Sequence, residues 1–93
     1  MFSNEKTVDL HIEELTDDYS GMNNSEMLHL QLSHFHKELD DAMLHHYYRI
    51  IFIHGKGNGI LKNRIRKELD RMNLKYRDAE TSKFGFGATE VLL

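Results

Sequence analysis

The sequence of 93 residues contains no cysteine and no proline. Without cysteine, the chain has neither a disulfide framework nor a thiolate zinc site. No apolar run approaches the ~18 residues that a membrane-spanning helix needs, and the N-terminus lacks the apolar segment of a secretory signal peptide. With no repeats or linker either, we expect a cytoplasmic protein without a membrane anchor, whose residues 1–93 form one domain. That domain stands alone or forms the C-terminal part of a longer protein.

Acidic and basic residues are unevenly distributed along the chain. The formal net charge is −3, but residues 1–41 contain two basic and ten acidic residues, whereas residues 42–93 contain ten basic and five acidic ones. The overall charge argues against strong non-specific binding to nucleic acid. The basic second half permits a phosphate-facing surface, and an ordinary scatter of solvated charges is the alternative.

Hydrophobic periodicity predicts an α/β fold with the element order βαβαββ. The alternation of Val8, Leu10 and Ile12 predicts a strand over residues 7–12, followed by a loop to residue 24. Asn23 and Glu26 resemble a capping box that begins a helix over residues 24–46. The other predicted elements are a buried strand at 48–53, a helix at 60–72, and strands at 74–79 and 89–93. We expect a two-layer sandwich, with two helices on a mixed four-stranded sheet whose first two strands are parallel.

Asp9 and His11 lie two residues apart near the end of the first predicted strand. Alternate residues of a strand point the same way, so these two side chains share a face. A carboxylate beside a histidine can hold the imidazole in one tautomer, ready for proton transfer. Asp-x-His is a common pattern, however, and a polar pair without a function is the alternative.

A glycine-rich loop, His-Gly-Lys-Gly-Asn-Gly, occupies residues 54–59 between a predicted strand and a predicted helix. Glycines let a ligand approach backbone N–H groups, and a helix N-terminus offers unpaired donors to a phosphate. We therefore assign phosphate binding to Gly55, Lys56, Gly57, Asn58 and Gly59. The pattern matches neither the P-loop nor the dinucleotide fingerprint, which disfavours an ATP or NAD site. A simple connector is the alternative.

The next predicted helix has a basic outer face, from which we assign Lys62 and Arg66 to phosphate binding. A solvated helix face is the alternative. The five histidines of the long helix lack the spacing of helical zinc ligands. Phe84 and Phe86 flank a glycine before the last strand, where they either stack on bases or, as we favour, cover the sheet edge.

His11 and His54 each end one of the two predicted parallel strands. Ligands bind beyond the C-terminal ends of such strands, so neighbouring strands would bring both imidazoles to one crevice. We hypothesise a site for phosphodiester cleavage in which one imidazole deprotonates the nucleophile and the other protonates the leaving oxygen. Lys56 and the loop amides would stabilise the charged transition state.

Three segments resemble motifs of the Smr (small MutS-related) domain family. Residues 8–11, Val-Asp-Leu-His, are similar to the family's opening Leu-Asp-x-His. Residues 53–61 resemble its His-Gly-x-Gly signature and continuation, and residues 85–89, Gly-Phe-Gly-Ala-Thr, resemble its Gly-x-Gly-x-Thr. The motifs occur in family order over nearly the whole chain. The resemblance implies a fold similar to the C-terminal domain of translation initiation factor 3.

The resemblance also implies binding of DNA or RNA and, as in several members, endonuclease activity on nicked or branched DNA or on messenger RNA. The positions that match the family's functional motifs are Asp9, His11, His54, Gly55, Lys56 and Gly57. Ile12 and an acidic stretch at residues 13–18 depart from the family pattern, and that stretch could repel a phosphate backbone.

Two alternatives to a nuclease therefore stay open: a non-catalytic nucleic-acid-binding domain and a protein-interaction module of a larger protein. The sequence decides neither DNA against RNA nor the oligomeric state. A requirement for Mg²⁺ at Asp9 also stays open, because one carboxylate does not define a metal site.

Overall fold

A computed structural model describes residues 4–93 and confirms the expected α/β architecture. A mixed sheet of four strands carries the two long helices, and two additional helices of four residues each lie in the connections. The elements in chain order are β1 (Glu5–Asp9), α1 (Ile12–Leu15), α2 (Asn24–Leu44), β2 (Arg49–Ile53), α3 (Ile60–Arg71), β3 (Lys75–Asp78), α4 (Thr81–Phe84) and β4 (Ala88–Leu92). Of the helices within residues 4–93, none is long and apolar enough to cross a membrane.

The prediction of a first strand over residues 7–12 is wrong at its C-terminal end. β1 stops at Asp9, and Ile12 is the first residue of α1 rather than the last residue of a strand. The cause is local, because the Asp9 carboxylate accepts the backbone N–H of His11 at 2.9 Å. A carboxylate that captures the amide two residues later turns the chain away from an extended path.

The start of α2 is as predicted. Asn23 Oδ1 accepts the Glu26 amide at 2.8 Å, and Glu26 Oε1 accepts the Asn23 amide at 3.1 Å. This reciprocal capping box satisfies two backbone donors that have no partner inside the helix. The helix therefore begins at Asn24, and it ends at Leu44, two residues before the predicted end.

The strands are ordered β1-β2-β4-β3. β1 and β2 are parallel and adjacent, with Asp9 opposite Ile53, as expected. β4 is antiparallel to β2 and begins beside its end, with Ala88 opposite Ile53. Three chain segments therefore meet at one edge of the sheet: residues 10–12, residues 54–59 and residues 85–87.

The main hydrophobic core lies between one sheet face and the helices α2 and α3. The fully buried Phe35 and Phe52 rings meet edge to face with centroids 4.7 Å apart. Eleven buried residues form this core: Val8, Leu10, Phe35, Leu39, Ala42, Ile50, Phe52, Leu61, Ile65, Leu69 and Val91. On the other face, a smaller cluster of Ile51, Ala79 and Ala88 packs against Phe84. Packing on both faces fixes the strand ends at which the candidate site lies.

Candidate active site

Asp9 and His11 form a hydrogen-bonded pair at the C-terminal end of β1. His11 Nδ1 lies 2.7 Å from Asp9 Oδ1, the same oxygen that accepts the His11 amide. The two side chains are 40% and 43% exposed, so solvent and a ligand reach both. Because a carboxylate only accepts hydrogen bonds, Nδ1 carries the proton and Nε2 keeps a free lone pair.

The His11 ring lies against the backbone of Gly55 in the loop after β2. A Cβ atom built on Gly55 would lie 2.9 Å from His11 Nε2, and Gly55 has a φ of +83°. Only glycine allows both this backbone conformation and this close approach. The proton-accepting nitrogen of the pair is therefore next to the predicted phosphate-binding loop.

Lys56, Gly57 and Asn58 form the exposed part of that loop. Asn58 Oδ1 accepts the Ile60 amide at 3.1 Å, and Gly59, with a φ of +81°, is the N-cap of α3. None of the ion pairs among residues 4–93 involves Lys56. The loop thus carries an ammonium group that has no carboxylate partner among residues 4–93, and it leads into a helix N-terminus; each feature favours an anion.

The His54 ring is buried, and both of its nitrogens are hydrogen-bonded. Nδ1 lies 2.9 Å from the Gly55 carbonyl oxygen and therefore donates, while Nε2 lies 2.9 Å from Thr89 Oγ1. Burial lowers the pKa of His54 and keeps the imidazole neutral. The two strand ends are neighbours as predicted, but this geometry gives no support to proton transfer by His54. It holds the loop in place instead.

Arg66 completes the network around His54. Its Nε and Nη2 donate to Thr89 Oγ1 at 3.1 and 2.9 Å, so the hydroxyl proton is left for His54 Nε2. Arg66 Nη2 also lies 2.6 Å from Asp78 and lowers the pKa of that carboxyl. Arg66 therefore holds Thr89 and Asp78 within the fold, and the phosphate contact that the sequence indicated for it stays a prediction.

Residues 18–93 match the family model described as "Smr domain". The chain belongs to the Smr domain family. Endonuclease MutS2 of Staphylococcus saprophyticus is 40% identical over 55 residues, which cover 57% of this chain and 7% of that protein. The Smr domain of Thermus thermophilus MutS2 has a crystal structure similar to this one, with a TM-score of 0.67 at 27% identity over 95% of this chain and 96% of that one. The similarity to translation initiation factor 3 stays a prediction.

Two residues of this Smr domain's third motif belong to the site, although sequence reasoning gave them no role. The Gly87 carbonyl accepts the amides of both His54 and Gly55 at 2.9 Å, and a Cβ atom built on Gly87 would lie 3.4 Å from the Gly55 backbone. Thr89 is fully buried and links His54 to Arg66. The Gly-x-Gly-x-Thr pattern was a usable signal, because its second glycine and its threonine contact the glycine-rich loop and His54.

Many of the basic groups in the second half of the Smr domain are paired with carboxylates. Lys62 Nζ lies 3.7 Å from the same Asp78 carboxylate that Arg66 contacts. Behind the sheet, Arg49 and Arg77 both lie 3.0 Å from the buried Glu90. The basic surface that the charge count indicated is therefore reduced to the cations that no carboxylate pairs. Lys56 is the cation of the loop itself.

In the part of the Smr domain that the structure describes, metal-ligating side chains do not gather into a metal centre. Among residues 4–93, no three His, Cys, Asp or Glu side chains converge in a way that could hold a metal ion. Both hydrogen bonds to Asp9 use Oδ1, and no second carboxylate joins that site. Mg²⁺ keeps several water ligands and is commonly held by one or two carboxylates together with substrate phosphates, so Asp9 alone does not define a Mg²⁺ site.

Proposed function

We propose that this Smr domain binds nucleic acid and cleaves a phosphodiester bond, with His11 as the proton acceptor. One observation carries the proposal: His11 Nδ1 lies 2.7 Å from Asp9 Oδ1, which keeps the ring proton on Nδ1, while Nε2 lies against the glycine-rich loop. A proton acceptor beside an anion-binding loop is the arrangement that phosphodiester cleavage requires. The name of the relative, endonuclease MutS2, agrees with this chemistry.

The scissile phosphate would lie over the exposed part of the loop. Lys56 and the amides of residues 57 and 58 would offset its charge, which grows as the reaction proceeds. The nucleophile, a water molecule or a ribose 2′-hydroxyl, passes its proton to His11 Nε2 as its oxygen bonds to phosphorus. The bond to the leaving oxygen then breaks, and that oxygen takes a proton from solvent. Asp9 stabilises the imidazolium cation.

His54 has a positioning role in this proposal. Its hydrogen bonds to Gly55 and Thr89 tie the loop to β4, and its ring has no free nitrogen for a substrate. Because Gly55 contacts the His11 ring, a shift of this loop would move the phosphate relative to the proton acceptor. Small misplacements of this kind lower rates strongly.

The test is a cleavage assay with end-labelled nicked DNA, branched DNA and structured RNA, with and without Mg²⁺. His11→Ala should lower the cleavage rate by about 10²- to 10⁴-fold, the usual contribution of a general base. Asp9→Asn should also slow cleavage, because a neutral amide oxygen can accept both His11 hydrogen bonds but no longer offsets the positive charge of the imidazolium. His29→Ala, at an exposed position of α2, is the control and should cut normally. Full cleavage by His11→Ala would end the proposal and point to a contaminating nuclease.

A non-catalytic nucleic-acid-binding domain is the second candidate function. Glu13 and Glu14 lie in α1, two and three residues after His11, and are exposed, so they would repel a phosphate that approaches the pair. The pairing of Lys62 with Asp78 further reduces the positive surface. This candidate predicts salt-sensitive binding to branched DNA or structured RNA without cleavage at any Mg²⁺ concentration. A protein-interaction module would show no affinity for nucleic acid even at low salt.

A further inference from the structure

The segment between α4 and β4 contains one aromatic ring inside the fold and one in solvent. Phe84 packs against the cluster of Ile51, Ala79 and Ala88, so it covers the face of the central strands and not the sheet edge that we expected. For Phe86 the expectation is wrong. Phe86, two residues later, is 63% exposed. Among residues 4–93, it is the only exposed phenylalanine, and its exposure is not explained by the core.

Backbone contacts place Phe86 next to the candidate site. The carbonyl of its neighbour Gly87 accepts the amides of His54 and Gly55, and a Cβ atom built on Gly87 would lie 3.4 Å from the Gly55 backbone. Gly55 in turn contacts the His11 ring. The segment that carries Phe86 therefore contacts Gly55 through Gly87, and Gly55 contacts the His11 ring.

A positive charge lies on the other side of Phe86. A Cβ atom built on Gly85 would lie 2.9 Å from Lys56 Cε and 3.2 Å from Nζ, so the Lys56 side chain runs along the Gly85 backbone. The ammonium group therefore lies beside the backbone of the residue that precedes Phe86. Lys83, four residues before Gly87, adds a second exposed cation, with its Nζ 5.4 Å from the Phe84 ring centroid.

An exposed aromatic ring on a segment that also contacts an ammonium group matches the repeating unit of a single nucleic-acid strand. The cation attracts the phosphate, and the ring offers a flat apolar face to the attached base. In a duplex, the bases are stacked on one another and such a ring cannot reach their faces. The match is to a nucleotide whose base is unpaired.

We propose that Phe86 stacks on an unpaired base adjacent to the phosphate that Lys56 holds. This inference rests on the proposed function and specifies its substrate, a single-stranded or unpaired segment of DNA or RNA. Base stacking of this kind tolerates any sequence, because every base has a flat face. The substrate preference would then follow strand structure rather than sequence.

The test is the affinity of the 93-residue chain, measured by fluorescence anisotropy at low salt, for labelled strands of equal length and charge. The probes are a single DNA strand, a single RNA strand, a DNA strand with abasic sites throughout, and a DNA duplex, each checked for intactness on a denaturing gel. Phe86→Ala should weaken binding to the base-containing single strands by about 5- to 150-fold, the range for loss of one stacked base. Phe86→Trp should restore it.

Two controls separate stacking from damage to the fold. Leu44→Ala removes an equally exposed apolar side chain, 73% exposed at the far end of α2, and should leave all affinities unchanged. The abasic strand and the duplex should bind wild type and Phe86→Ala equally. A loss of similar size on the abasic strand, or no loss on base-containing strands, overturns the inference and leaves the proposed function standing. If the wild-type chain binds none of the probes, the proposed function fails together with the inference.

Discussion

The hydroxyl group of Thr89 is the most informative single group to remove. It accepts two hydrogen bonds from Arg66 and donates its proton to His54 Nε2, and the residue is fully buried. Thr89→Val keeps the branched shape and removes only the hydrogen-bonding group. The variant leaves the His54 nitrogen without a partner in a place that water does not reach.

The expected cost follows from the groups that lose their partners. A buried acceptor without a donor costs about 1–3 kcal/mol, and a hydrogen bond to a charged donor contributes about 1.5–3 kcal/mol. The second contribution is only partly lost, because Arg66 keeps its contact with Asp78 and its side chain is 23% exposed. We therefore expect Thr89→Val to lower the free energy of unfolding by about 2–4 kcal/mol. Thr89→Ser keeps the hydroxyl and loses one methyl group, which costs about 1 kcal/mol.

Urea denaturation followed by circular dichroism measures both free energies. For a domain of this size, each kcal/mol also lowers the melting temperature by about 4–8 °C. The order is decisive: valine should be more destabilising than serine. If Thr89→Val were as stable as Thr89→Ser or more so, the hydroxyl would be unimportant and the network would not hold the loop. A double-mutant cycle with Arg66→Met should be non-additive, because the two residues share one hydrogen-bonding group.

Three further predictions concern the loop and its histidine. Folding lowers the pKa of His54 below its ordinary value of 6.5, so the unfolded chain takes up the proton first. The contribution of His54 to stability should therefore be complete above about pH 6.5 and decline as the pH falls through the lower folded pKa. In urea titrations from about pH 7.5 to 5, the unfolding free energy should change less steeply with pH for His54→Gln than for His29→Gln. Gly55→Ala should lower the unfolding free energy by more than about 1 kcal/mol and reduce cleavage, because Gly55 has a φ of +83° and the new Cβ would contact His11. Gly21→Ala is the control, because a Cβ at that position meets open space. Equal stability of the two variants would contradict this prediction. Lys56→Ala should weaken nucleic-acid binding and reduce the slope of log K against log salt by about one, the change expected for the loss of one phosphate contact. Fluorescence anisotropy between about 50 and 200 mM salt measures this slope. An unchanged slope would remove Lys56 from the phosphate site.

Local signals account for most of the elements. The capping box at Asn23 and Glu26 and the apolar runs predicted both long helices and all four strands, with the parallel pairing of the first two strands. The short helices α1 and α4 were missed, because four residues are too few to show a helical period. The end of β1 was placed too late, since Ile12 continues the alternation while the Asp9 carboxylate turns the chain.

The candidate site was only partly predictable. Asp9 and His11 were chosen for their spacing on a strand, yet they meet through a turn in which one oxygen binds both the His11 amide and its ring. His54 was expected to face the same crevice as the second of two imidazoles that transfer protons. In the fold its ring turns toward Thr89, a contact over 35 positions that no local pattern contains.

The sequence by itself determined the element types, the family and the glycine-rich loop, because these depend on periodicity and on backbone conformations that neighbouring residues impose. Only the tertiary structure decided which charged and polar groups are free. Arg66 and Lys62 read as exposed cations on a helix, but β3 brings Asp78 to both. A side chain is free for a ligand only if no partner from a distant part of the chain binds it. The packing of the sheet decides which partners come close, and the spacing of residues along the chain does not.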